Sequence, residues 1–162
     1  MVRTDILEKL KIITTEEQDI INGEKQINRE IYMSGRDNTI NSKKLLDEGK
    51  IITMRKHTRF IDFPEHSHDY VELIYMCQGS TTHIIEGKEI KLSEGELLFL
   101  GQGIRHSIKR ADENDIAVNF IVLPHFFSDI LYAIGEKESP LKRFFINCLC
   151  GSESNSYLHY NV

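Results

Sequence analysis

Along the first 48 residues, apolar positions recur at helical rather than strand spacing. Ile6, Leu7 and Leu10 share one face of a short amphipathic helix. Thr15 reads as the N-cap of a second, with Glu16, Glu17 and Asp19 in its first turn and Gly23 past its end. A third short piece begins near Ser42, carries Leu45 and Leu46, and ends before Gly49; Gly35-Arg36-Asp37-Asn38 between them is turn or loop. Helices this short are not stable alone and must pack on something larger.

From residue 50 the pattern changes. Ile51 to Met54 open a β-branched and apolar run that continues through Phe60, Ile61 and Phe63 to Pro64. Val71–Met76, Thr81–Ile85, Lys88–Leu92, Glu96–Leu100, Ile104–Ile108 and Ile116–Val122 follow as short strands, separated by Gly79, Glu86-Gly87, Ser93-Glu94-Gly95 and Gly101-Gln102-Gly103. Such even punctuation describes a sandwich or barrel. Pro124 ends the series and the helical period returns. Phe126, Phe127, Ile130, Leu131 and Ile134 form one apolar face. Ser139 and Pro140 supply an N-cap and first-turn proline for a last helix carrying Leu141, Phe144, Phe145, Cys148 and Leu149, which Gly151 can close. The expected protein is mainly β: a helical N-terminal extension over residues 1–49 packing on the barrel, the barrel over 50–123, and two C-terminal helices over 124–162. No internal repeat is visible.

Composition narrows the function classes. The 162 residues carry 40% hydrophobic and 28% charged side chains, the balance of a globular chain, and a formal charge of −5. The densest basic cluster, Lys43, Lys44, Lys50, Arg55 and Lys56, is diluted by Asp47 and Glu48, so direct DNA binding is not expected. No apolar leader opens the chain, and no apolar run approaches the roughly 18 residues of a membrane helix. The three cysteines, Cys77, Cys148 and Cys150, follow neither disulfide nor metal spacing; free thiols in a reducing cytoplasm are expected.

The chemistry is concentrated in four residues. His66 and His68 lie two apart, so on an extended strand both project from one face, and Glu72 shares that parity if the strand is unbroken. His106, from a strand some forty residues on, can complete a set of three imidazoles and one carboxylate. That set suits Zn, Fe, Mn or Ni as a divalent ion. Without a metal, the same residues make a polar floor for an organic effector, with Glu72 accepting hydrogen bonds from the histidines. A single buried histidine is more often a hydrogen-bonded core residue; four at these spacings argue for a site.

The run His66-x-His68-x-x-x-Glu72-x-x-x-x-x-x-Gly79 matches the first cupin motif from its histidines onward, and Gly95-x-x-x-x-x-Gly101-x-Gly103-x-x-His106 resembles the second. The departures are Phe60 for the glycine that usually precedes the first motif, Gly101 for the usual proline of the second, and Arg110 for its final asparagine. Within cupins, Phe63-Pro64-Glu65-His66-Ser67-His68-Asp69-Tyr70-Val71-Glu72-Leu73, with Ile74–Gly79 and Gly95–Leu100, looks like the sensing domain of AraC-type transcription regulators. The resemblance covers residues 50 to 123 well and the flanking helices loosely. It implies a cupin double-stranded β-helix (a jelly-roll barrel) whose metal ligands, where a metal is held, map onto His66, His68, Glu72 and His106. It also implies a small-molecule effector in the barrel, a homodimer, and DNA bound only through a C-terminal helix-turn-helix domain. That domain is missing from this chain, whose apolar end, Tyr157 to Val162, reads as the start of a linker.

Several further residues are effector-binding candidates. Arg59, if inward-facing, can take a carboxylate or phosphate, although a solvated strand residue is the commoner role. His83, Tyr70, Phe99 and Met76 are candidate walls, equally explained by core packing. Leu141, Phe144, Phe145 and Leu149 either cap the barrel or contribute to a dimer interface. The leading reading is a cytoplasmic, non-enzymatic sensor. The alternative is a metal-dependent cupin enzyme of dioxygenase or isomerase type, for which only Glu96 and Asp69 offer a general acid or base outside the presumed ligands. An inert scaffold is disfavoured, since burying four such groups without purpose is costly.

Overall fold

Period-two alternation sorts the central residues onto two faces. A computed structural model describes residues 2–150 and 156–161. The elements run α1 (Thr4–Lys11), α2 (Thr15–Ile21), α3 (Arg29–Tyr32), β1 (Thr39–Ile40), α4 (Ser42–Leu45), β2 (Ile52–Lys56), β3 (Phe63–His68) and β4 (Val71–Gln78). There follow β5 (Ser80–Ile85), β6 (Lys88–Ser93), β7 (Leu97–Leu100), β8 (His106–Ile108), β9 (Ile116–Val122), α5 (Phe126–Ile134), α6 (Pro140–Cys150) and β10 (Tyr157–Tyr160). Two five-stranded sheets result, in the orders β1-β3-β8-β5-β6 and β10-β7-β4-β9-β2. Every pairing is antiparallel except β1 with β3. This is the mainly β cupin architecture with helical flanks.

The inner faces are legible strand by strand. In β5, Thr81, His83 and Ile85 are buried and their neighbours are not. In β4, Glu72, Ile74 and Met76 point inward, while Val71 and Leu73 join the outer layer. That outer face is apolar because helices cover it: Phe127 of α5 and Phe144, Phe145 and Cys148 of α6 pack on Val71, Phe99 and Val122. On the same sheet, Leu7 and Leu10 of α1 lie against Cys77, Ile116 and Val118.

Two expectations about connectivity change. His68 and Glu72 are not on one unbroken strand. The chain bends at Asp69 and Tyr70 and passes from one sheet to the other, so the two side chains meet across the barrel interior. Tyr157–Tyr160 is no linker: it pairs with β7, Tyr157 opposite Leu100 and Tyr160 opposite Leu97. Gly101, which replaces the usual proline, donates its N–H to the Ser156 carbonyl at 3.0 Å just before this strand, a bond proline cannot make. A second departure keeps the backbone of the residue it replaces: Phe60 has φ 72, in the region glycine favours. The strand expected over Ile104–Ile108 is shortened to His106–Ile108; Ile104 and Arg105, directly after the turn at Gln102 and Gly103 (φ 74), are outside it.

At the N-terminus, the cap of α2 is Thr14 rather than Thr15. The Thr14 hydroxyl accepts from the Glu17 N–H, and the Glu17 carboxylate accepts from the Thr14 N–H, a capping box. Ser139 does cap α6, accepting from the Lys142 N–H at 3.1 Å. Gly151, expected to close that helix, lies outside the described residues, as does Val162. The three cysteines are free.

Glu17 is the anchor of the extension. It has no exposed surface, and its oxygens accept from Arg59 Nε at 2.8 Å, Arg59 Nη2 at 3.0 Å and Lys56 Nζ at 2.7 Å. Arg59 is equally buried and also donates to the carbonyls of Lys11 and Glu113. Burial pushes the Glu17 carboxyl up, but the hydrogen bonds from Arg59, Lys56 and the Thr14 N–H outweigh it and hold the group at about 2 instead of 4.5.

Replacing Glu17 by Gln is expected to destabilise the fold by about 3–5 kcal/mol at pH 7 in urea unfolding, because it leaves two buried cations without a counter-charge. The depressed carboxyl stabilises the fold above pH 4.5 and stops doing so as pH falls toward 2, so the difference between wild type and variant closes across that window. A pH-independent difference would assign the loss to packing instead. Gly79 has φ 75, and a Cβ there would lie 2.9 Å from the Asn114 carbonyl oxygen. Gly79→Ala is expected to lower stability by about 1–3 kcal/mol in the same assay.

Candidate functional site

Five imidazoles lie inside the barrel, those of His57, His66, His68, His83 and His106, each at most 4% exposed. β3 supplies His66 and His68. A bulge between Phe63 and His66 lets Phe63, His66 and His68 all turn inward. His66 pairs directly with His106 of β8, their ring centroids 4.2 Å apart. β4 supplies Glu72 from the facing sheet.

Backbone carbonyls orient two of the rings. His68 Nδ1 lies 2.7 Å from the Tyr70 carbonyl, and His66 Nδ1 lies 2.8 Å from that of Pro64. A carbonyl only accepts, so each Nδ1 carries the hydrogen and each Nε2 is left with its lone pair. His68 is further held by stacking on the Tyr70 ring, 4.7 Å between centroids. Burial lowers all three histidines below the usual 6.5: His66 to about 4, His68 to about 3, and His106 well down. Neutral imidazoles are therefore the resting state at neutral pH.

Glu72 Oε1 accepts from Asn119 Nδ2 at 2.9 Å. Its Oε2 stands 3.8 Å from His68 Nε2 and 3.6 Å from His106 Nε2, and all three atoms are buried without hydrogen-bond partners. The ligand atoms of His68, Glu72 and His106 lie within 4.8 Å of one another. The lone pairs of His68 Nε2 and Glu72 Oε2 facing each other at this range repel unless something positive lies between them. A proton on Glu72 is one answer, and burial does raise that carboxyl from 4.5 to about 7 against the pull of the Asn119 hydrogen bond and the Arg55 charge. A divalent ion is the other. At ligand distances of about 2.0–2.2 Å, tetrahedral donors lie roughly 3.3–3.6 Å apart, close to the two separations of Glu72 from the imidazoles. The residues fit a metal.

The other expected site residues divide. An interior cavity of about 40 Å³ is lined by Tyr70, His66 and Glu72 together with residues not singled out in the sequence, among them Tyr32, Arg55, Asn119 and Ile121. Arg59 does not reach it, because its guanidinium is enclosed by Glu17 and two carbonyls. Phe99 belongs to the outer layer with Phe144 and Phe145. Met76 is packed in the apolar core beside Ile74 and Leu98, and His83 Nε2 bonds Thr81 Oγ1 at 3.0 Å; neither lines the cavity. Phe144 and Phe145, candidates either for packing on the barrel or for a dimer interface, are 2% and 4% exposed against Phe99 and Phe127 within the chain, and Leu141 and Leu149 are partly buried beside them. Asn119 was legible after all: it is the lone polar residue in Ile116–Val122, at the parity of inward-facing Ala117 and Ile121.

The raised carboxyl carries a testable consequence. In protein stripped of metal by chelation, Glu72 favours the fold fully below pH 4.5, and that contribution is lost as pH rises through about 7. Glu72→Gln is therefore expected to be more stable than wild type above pH 8, by roughly 2–3 kcal/mol, with the advantage vanishing toward pH 4.5 in chemical denaturation. A variant less stable than wild type at pH 8 would show that the carboxylate is compensated by other means.

A stretch of 60 residues is 28% identical to the HTH-type transcriptional activator RhaR of Escherichia coli O1:K1 / APEC, covering 37% of this chain and 21% of that protein. The chain thus matches about a fifth of the length of this curated relative. Among solved structures, apo ToxT K231A from Vibrio cholerae strain SCE256 is similar at 15% identity and a TM-score of 0.47, over 68% of this chain and 41% of that one. The Clostridium difficile EutQ protein is similar at 22% identity and a TM-score of 0.38, over 44% and 55%. Residues 48–140 match the family described as the AraC-like ligand binding domain. Matching over more than half its length, this chain belongs to that family.

Proposed function

We propose that this chain is the effector-sensing part of a cytoplasmic AraC-type transcription regulator. A small molecule enters the barrel cavity, and its presence is passed to a helix-turn-helix domain that contacts DNA. The observation that carries this reading is the cavity itself. Buried, unpartnered polar atoms of Glu72 and Asn119 line it together with the apolar side chains of Ile40, Leu45 and Ile121. Residues 1–49 form a packed extension that supplies part of that wall, and residues 50–123 form the barrel. Binding acts by favouring one arrangement of barrel, flanking helices and partner subunit in a homodimer.

His68, Glu72 and His106 would hold a divalent metal, with His66 beside His106. Such an ion supplies Lewis acidity and an anchoring point for an oxygen of the effector. The buried lone pairs favour this and keep a metal-dependent cupin enzyme as the second reading. Against catalysis stand the positions of the two further carboxylates. Asp69 accepts from the Ser42 N–H at 2.7 Å, Glu96 pairs with His159 at 2.8 Å, and neither lines the cavity. A general acid or base has to reach the substrate.

Two measurements test this. Elemental analysis is expected to find about one Zn, Fe, Mn or Ni per chain, absent from a His68→Ala/His106→Ala double variant. Asn119→Ala is expected to weaken retention about 10- to 100-fold by releasing Glu72. Metal retained by the double variant would remove these residues from the site. In a thermal-shift screen of small metabolites, a compound that stabilises the chain is expected to be recovered chemically unchanged by mass spectrometry. Conversion to a product would replace the sensor reading with the enzyme.

A further inference from the structure

Arg55 is the cavity-lining cation that the chain does not answer. The strand alternation of β2 separates it from its neighbour: Lys56 points to the opposite face of the sheet and pairs there with buried Glu17, while Arg55 lies opposite Asn119 and faces the cavity. Among the described residues no carboxylate lies within ion-pair distance of its guanidinium, and Nη1 is buried without a hydrogen-bond partner. Water, the usual partner of an arginine, does not reach that nitrogen, and a buried donor with nothing to donate to is costly.

The guanidinium is nonetheless held in place. It lies over the Tyr32 ring at 4.9 Å, and that ring is fixed at its far end, where the hydroxyl donates to Glu16 Oε2 at 2.6 Å and meets Thr58 Oγ1 at 3.0 Å. A positioned, charged fork beside a cavity walled by Ile40, Leu45, Ile108 and Ile121 has a specific complement. A neutral hydroxyl would satisfy one N–H and leave the charge unmatched. A carboxylate satisfies both, because its two oxygens match the spacing of guanidinium donors.

We propose that the effector is a small organic carboxylic acid, its carboxylate bound by Arg55 and its short apolar body lying against Ile40, Leu45 and Ile121. This rests on the reading of the cavity as the effector site. The roughly 40 Å³ of the cavity confines the acid to a few heavy atoms beyond the carboxylate. Arg55 then acts as the selectivity residue, independently of whether His68, Glu72 and His106 hold a metal.

The test uses the purified chain, stripped of metal and titrated at constant ionic strength with acetate, isobutyrate and benzoate, each beside its neutral amide. At least one acid is expected to raise the melting temperature saturably while its amide does not. Arg55→Met is expected to weaken that acid roughly 10- to 100-fold, and Arg55→Lys, which keeps the charge and loses the fork, by less. Circular dichroism of both variants establishes that they fold; the Lys variant serves if the Met variant does not. An amide that binds as well as its acid, or an acid indifferent to both substitutions, overturns the carboxylate proposal and leaves the cavity as a site for neutral effectors. Failure of every acid also overturns it. If the amides and a panel of simple polyols fail as well, the effector-site reading falls with it.

Discussion

The placement of the N-terminal extension depends on one carboxylate. Glu17 sits at the first turn of a seven-residue helix too short to persist alone, yet it is wholly enclosed and shared among Arg59, Lys56 and the Thr14 N–H. Such an arrangement is a constraint more than a source of net stability, since desolvating three charges consumes most of what their attraction returns. Its effect is to permit one position. Glu17 can be buried only where Arg59 and Lys56 converge, which fixes α2 against the barrel. The adjacent Glu16 then holds Tyr32 and Thr58, and Tyr32 supports Arg55. The wall of the cavity is set by that chain of contacts.

The interior is polar in one place and apolar elsewhere, and the contrast gives the domain its chemistry. Glu72 Oε2 lies 3.6 and 3.8 Å from the Nε2 atoms of His106 and His68 with no hydrogen bond satisfying any of the three. Because each histidine is neutral, the site offers lone pairs and one negative charge at most. It accepts a cation or a proton and resists a second anion. Arg55, on β2 and separated from β4 by β9, brings the opposite polarity to the cavity that Glu72 also lines. Such a contrast of polarity is suited to recognition by a member of a ligand-binding family.

The outer face of the second sheet shows how the remaining elements are used. Val71, Phe99 and Val122 face outward, and α5 and α6 cover them with stacked phenylalanines, Phe127 on Phe145 at 4.4 Å. β10 closes the sheet edge beside β7, with His159 bonded to Glu96. The apolar stripe of α6 is therefore largely internal, and the exposed large apolar side chains left on these helices are Tyr132, 92% exposed, and Ile146, 38% exposed.

What the sequence by itself determined was the local order. Alternation, turn glycines and the two spaced motifs identified the strands, the inward parity of His66 and His68, and a cupin barrel of the AraC type, because each follows from a residue and its near neighbours. What only the tertiary structure decided were the meetings between distant segments. Glu72 reaches His68 across a sheet-to-sheet bend instead of along one strand, and Arg59 is enclosed by a carboxylate 42 residues away. Arg55 faces the cavity because the register of β2 with β9 places it opposite Asn119. Tyr157–Tyr160 is a strand only because β7 has a free edge to accept it. Periodicity states which way a side chain points from its own strand; which strand or helix stands opposite is settled by the closure of the barrel, and no residue encodes that alone.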